Sequence, residues 1–110
     1  MDFSTNPLRL PFKNYQMNKE VQHNESKNRF EVKLEDGLFA LAEYRRKDNK
    51  IYFTHTEVPD DYEGQGVGSA LVEYALDYAR REKLGVVPWC PFFKSYIERH
   101  EEYQDLVVAD

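Results

Sequence analysis

Apolar and charged residues alternate from Phe30 to Leu34, the period of a strand with one buried face. Glu35-Asp36-Gly37 follows as a tight turn carrying the Asp-Gly hairpin signal. Leu38 to Tyr44 returns as a second strand, and Arg45 to Lys50 is a polar turn centred on Asp48-Asn49. Ile51 to Val58 is rich in β-branched and aromatic residues and reads as a third strand. Pro59 stops it, because proline has no N–H to give a ladder. Strands joined by such short turns make an antiparallel meander.

The period then changes. Over Ser69 to Lys83 it is helical, with Val67, Leu71, Tyr74 and Tyr78 on one stripe, Ala70 and Ala75 beside it, and Gly85 placed to end it. Val86-Val87 begins a short buried strand that Pro88 stops. Pro91 suits the first position of a second helix, in which Phe93, Ile97 and His100 recur, as do Phe92 and Tyr96. The order β-β-β-loop-α-β-α predicts one α/β domain over residues 19–110, an α+β arrangement with helices packed on a mixed sheet. Residues 1–18, interrupted by Pro7 and Pro11, hold no period. They read as an extension, disordered or docked loosely through Leu8, Leu10 and Phe12.

Composition narrows the function classes. The 110 residues suffice for one core, and 41% hydrophobic with 32% charged residues is an ordinary globular balance. No apolar run reaches the roughly 20 residues that cross a bilayer, and the N-terminus lacks the order of a signal peptide. A cytoplasmic protein is the expectation. Cys90, the single cysteine, can form no internal disulfide and no Cys-x-x-Cys zinc pair, so no metal set is expected. A formal net charge of −5 speaks against nucleic acid as a partner but not against an anionic ligand held by local donors.

One segment carries such donors. Glu63-Gly64-Gln65-Gly66-Val67-Gly68-Ser69 lies between a strand and a helix. Glycine admits positive φ and close backbone approach, and a helix start presents unpaired N–H groups with a partial positive charge. Together they cradle phosphate. A nucleoside-triphosphate loop needs Gly-Lys-Ser/Thr, and there is no lysine here. A dinucleotide fingerprint needs its third glycine where Ser69 stands, and the preceding strand belongs to a meander.

The segment instead resembles the acyl-CoA pyrophosphate loop of the GNAT N-acetyltransferase superfamily, whose pattern Arg/Gln-x-x-Gly-x-Gly/Ala falls on Glu63 to Gly68. Gly66 and Gly68 match its glycines, while Glu63 departs from its first position. His55-Thr56-Glu57-Val58-Pro59, Val87-Pro88-Trp89-Cys90-Pro91-Phe92, Tyr96 to Tyr103, and Val21 to Phe30 resemble the small YjdJ-like branch of that superfamily, over roughly residues 20–108. The resemblance implies a compact GNAT-like domain that moves an acetyl group from acetyl-CoA to an amine. Val58 and the strand before the loop would align the pantetheine arm. Glu63, Gly64, Gln65, Gly66, Val67, Gly68 and Ser69 would surround the pyrophosphate.

Candidate chemistry follows. Cys90 precedes the second helix, where a thiolate is stabilised by the helix start, and the branch places a candidate catalytic cysteine here. It could take the acetyl group covalently, or line the channel while an amine attacks directly. His55 and Glu57, two apart on a strand, share a face and are candidate bases. The resemblance offers Tyr96 as the acid for the leaving CoA thiolate. His100 reads as a helix cap. Lys94, Arg45, Arg46, Lys47, Arg80, Arg81 and Lys83 are open alternatives for the cofactor's phosphates. The acceptor, a small polyamine, a protein lysine or an N-terminus, is not legible. Two other functions stay open: a CoA-binding module without transfer, and an interaction domain that kept only the fold.

Overall fold

The computed structural model describes residues 21–110. The extension expected over residues 1–18, with Leu8, Leu10 and Phe12, lies outside the described residues. Five strands form one sheet in chain order: β1 (Val21–Asn24), β2 (Arg29–Lys33), β3 (Phe39–Lys47), β4 (Lys50–Glu57) and β5 (Gly85–Pro88). β1 to β4 run antiparallel, and β5 pairs parallel to β4. Helices α1 (Val67–Arg81) and α2 (Pro91–Glu98) flank β5 in the chain, and a 3₁₀ turn spans Glu101–Leu106. The mixed sheet and the element order agree with the pattern of the sequence.

Four boundaries differ, each for a local reason. β1 was not expected as a strand; its four residues pair with Arg29–Val32, and no local period announces an edge strand that short. The polar turn shrinks to Asp48-Asn49, because Lys47 and Lys50 pair and Asp48 takes the positive φ of 58°. Arg45, Arg46 and Lys47 are therefore strand residues. α1 begins at Val67, with Gly66 as its N-cap, and its buried stripe runs through Leu71, Val72, Ala75, Leu76 and Ala79. Tyr74 sits at the edge of that stripe, partly exposed. Gly85 does not end α1. Lys83 takes the left-handed position at φ 59°, Leu84 N–H donates to Ala79 O, and Lys83 N–H donates to Arg80 O, a Schellman closure without glycine. Gly85 opens β5 instead, where a Cβ would stand 2.7 Å from Val108 Cγ2.

The core lies between one sheet face and the helices. Phe30, Val32, Ala40, Ala42, Ile51, Phe53 and Val86 meet Leu71, Leu76 and Phe93, and Phe53 stacks on Phe93 with centroids 4.1 Å apart. The other sheet face carries Arg29, Glu31, Leu41, Glu43 and Tyr52, none of them fully buried. No helix among the described residues is long and apolar enough to cross a membrane.

His23 is tucked into this core. Its ring stacks on Phe30 at 4.3 Å, meets Tyr78 edge-on at 4.6 Å, and its Nε2 bonds the Tyr44 hydroxyl. Burial, more than any neighbouring charge, lowers its pKa below 6.5, against the opposing pull of Glu25. The unfolded chain then binds the proton more readily, so stability is complete above pH 6.5 and declines as pH falls below it. Urea midpoints measured from pH 7.5 down to 5 are expected to drop, and His23→Phe to flatten that part of the slope. An unchanged slope in His23→Phe would assign the acid sensitivity elsewhere.

Candidate active site

Two backbone events build the site. The first is where β4 and β5 part. Their pairing ends at Phe53 with Pro88, while β4 continues to Glu57 against β3 alone. Cys90 N–H donates to Phe53 O at 2.8 Å and the chain turns away into α2, with Pro91 at its first position. Backbone groups on that side of Thr54 to Glu57 are left without a strand partner, and Cys90 stands at the apex of the gap.

The second is a bulge. Glu43 pairs with His55 but Tyr44 with Phe53, so Thr54 is one residue extra on β4. Each side chain beyond it changes face. Ile51 and Phe53 point to the core; after the bulge Thr56 does, opposite core-facing Ala42. His55 and Glu57 lie on the open face, paired at 3.6 Å, their side chains 55% and 66% exposed. The expectation that they share a face holds, but it is the face away from the cavity described next.

A cavity of about 580 Å³ lies at the mouth of the gap, lined by Thr56, Val58, Tyr62, Glu63, Gly64, Gly66, Val67, Gly68, Ser69 and Phe92. Most of the loop and strand residues expected around the pyrophosphate meet here. Gly64 and Gly66 adopt φ of 81° and 84°, and nothing lies within 4 Å of a Cβ built on either. Gly68 serves differently: its φ is ordinary, but a Cβ would come within 2.9 Å of Phe92 Cζ and 3.5 Å of Val58 Cγ2. It lets α1 close against α2. Among the described residues Gly64, Gln65 and Gly66 donate no backbone–backbone bond outside regular elements. The next amides belong to the first turn of α1, where a helix has no partner one turn back. The loop thus collects donors at a partially positive helix start. Glu63 is the one formally charged residue on the wall, and its own N–H is committed to Asp60 O. Gln65 turns its side chain to Asp61 O at 3.1 Å and does not line the cavity.

Cys90 is buried, and its Sγ lies 3.3 Å from Thr56 Oγ1, so the thiol adjoins the cavity through Thr56. Thr56, Tyr62 and Phe92 are site residues that sequence reasoning missed. The signal that bears on Thr56 is period-2 alternation, which carried on from Ile51 and Phe53 would turn it to the open face, and the bulge at Thr54 reverses that.

Tyr96 is off the cavity wall. It is buried in the core, stacks on His100 at 3.8 Å, and burial raises its pKa. His100 caps α2 as expected, its Nδ1–H donating to Tyr96 O at 2.7 Å. Lys94 is exposed one turn past Cys90, outside the wall. The other basic candidates stand elsewhere. Arg45, Arg46 and Lys47 are at the hairpin end of β3, beside the start of β4 and roughly 23 Å from the loop end of β4 by strand rise, and Arg46 donates to Tyr78 Oη. Arg80, at the far end of α1, holds Asp105 through both carboxylate oxygens at 3.0 Å. Among the described residues no basic side chain lines the cavity.

Known proteins resemble this chain. The profile of the GCN5-related N-acetyl-transferase family matches residues 29–106, the span holding the bulge, the loop and Cys90. The chain is 32% identical to protein NATD1 of chicken (Gallus gallus) over 84 residues, covering 74% of this chain and 76% of that one. It is also 32% identical to protein NATD1 of Homo sapiens over 83 residues, 73% of each chain. The solution structure of a GCN5-like protein from Staphylococcus aureus superposes with a TM-score of 0.66 at 33% identity, over 84% of this chain and 91% of that one. With the amide-rich loop between the parted strands and a helix start, these likenesses make the chain a member of the GCN5-related N-acetyltransferase family.

Proposed function

We propose that the chain transfers an acetyl group from acetyl-CoA to an amine, and that the acetyl group passes through Cys90. The observation that carries this reading is the bunching of uncommitted amides from Gly64 to Ser69 on one cavity whose wall includes Thr56, the residue that touches Cys90. Acetyl-CoA, the donor substrate, supplies an activated thioester carbonyl. The loop amides hold its diphosphate. The open edge of β4 to Val58 aligns the pantetheine arm, and Phe92 packs beside it. Lys94 reaches the outer phosphate from the first turn of α2.

The chemistry is thioester exchange followed by aminolysis. Cys90 Sγ bonds to the acetyl carbon as the bond from that carbon to the CoA sulfur breaks, and the thiol proton ends on the departing sulfur. An acceptor amine then displaces Cys90, forming the amide and restoring the thiol. The proton the amine gives up ends on the departing Cys90 sulfur, since His55 and Glu57 lie on the other face of the strand, away from the cavity. Holding the partners in place does most of this work.

The test pairs calorimetric titration of acetyl-CoA with a CoA-release assay on polyamines, lysine peptides and free N-termini. Binding together with release above background on one amine class is expected. Binding without release on any of them would identify a CoA-binding module, and no binding would leave only a shared fold.

A further inference from the structure

We propose that Thr56 is a positioning residue for Cys90: its hydroxyl orients the sulfur toward the cavity and donates a hydrogen bond to it as negative charge develops there. This rests on the covalent reading above. The geometry depends on the bulge in β4. Without the extra residue at Thr54, Thr56 would face the open side of the sheet and His55 would occupy its place. With it, Thr56 both lines the cavity and lies 3.3 Å from Cys90 Sγ. The backbone pins both partners. Cys90 N–H is tied to Phe53 O, Cys90 O accepts from Lys94 N–H at 3.0 Å, and Thr56 pairs with Ala42. Among the described residues Thr56 is the one side chain hydrogen-bonded to the thiol.

The chemistry gives the contact a purpose. A buried sulfur that must carry charge to attack a carbonyl gains most from a donor fixed in advance, because a hydrogen bond to an ionised group is roughly twice as strong as a neutral one. Threonine suits the place. Its β-branch limits the rotamers that would swing the hydroxyl away. Serine keeps the donor and valine keeps only the shape.

The experiment compares Thr56→Val and Thr56→Ser with the parent in two assays at pH 7. Alkylation of Cys90 by iodoacetamide reads the sulfur without acetyl-CoA. Acetyl-adduct formation, followed by intact-protein mass spectrometry, reads the transfer. Thr56→Val is expected to slow alkylation about tenfold, the size of a lost bond to a charged group. Thr56→Ser is expected to stay within about threefold of the parent. Equal slowing by both variants, or no slowing by Thr56→Val, would overturn the assignment. Slowed alkylation of Thr56→Val in a parent that forms no acetyl adduct would keep the assignment and refute the covalent route.

Discussion

Gly66→Val is expected to weaken acetyl-CoA binding by at least about tenfold while leaving the fold intact. Gly66 is the N-cap of α1 at φ 84°, a conformation that a β-branched residue adopts at a cost of about 1–3 kcal/mol. A Cβ there meets nothing within 4 Å, so no packing partner holds the strained backbone in place. The loop can relieve the strain only by rotating, and rotation turns the amides of Gly66 and Val67 off the cavity. Each 1.4 kcal/mol lost in binding is a factor of ten. Calorimetric titration measures the affinity, and a thermal melt checks the fold. Gly68→Ala is the contrasting variant. Its φ is ordinary, and its new methyl presses on the far edge of the Phe92 ring, which is partly exposed and can swing aside. A parent-like affinity in Gly66→Val would show that these amides do not hold the diphosphate.

Cys90→Ala should remove the acetyl adduct and lower amine acetylation by about a thousandfold or more, the scale on which losing a covalent nucleophile is felt. The fold should survive. Cys90 anchors its neighbourhood through its backbone bonds to Phe53 and Lys94, which alanine keeps, and the loss of one buried sulfur is a small change in volume. Intact-protein mass spectrometry after acetyl-CoA exposure reads the adduct, and CoA release with the best amine reads the turnover. An unmodified parent together with an active Cys90→Ala would mean that the amine attacks acetyl-CoA directly, with Cys90 only a wall of the channel.

Much of this site could be read in one dimension. The glycine loop, the helix behind it and the proline-flanked Cys90 are local features, set by φ preferences, unpaired helix-start amides and the missing N–H of proline. Hairpin turns at Gly37 and Asp48-Asn49 are likewise local. Misreadings occurred where a long-range partner decided. β1 exists because Arg29–Val32 offers it an edge. Tyr96 is offered as an acid by a resemblance offset by about a residue, and the turn at Glu101–Leu106 folds back so that His100 and Tyr103 enclose it. Basic residues that looked interchangeable in sequence are sorted by distance, since strand and helix rise put most of them at the ends of elements away from the loop.

The amino-acid order by itself determined the periods of two and of 3.6, hence the strands, the helices and the sequence in which they come. It also determined the loop whose glycines free a run of amides, because these depend on neighbours along the chain. Which side chains face the cavity was decided only in three dimensions. One extra residue at Thr54, created by the pairing of Glu43 with His55 and of Tyr44 with Phe53, turned Thr56 and Val58 inward and His55 and Glu57 outward. A strand has no means of counting its own register. The neighbour across the ladder does that, and with it chooses the residue that touches Cys90.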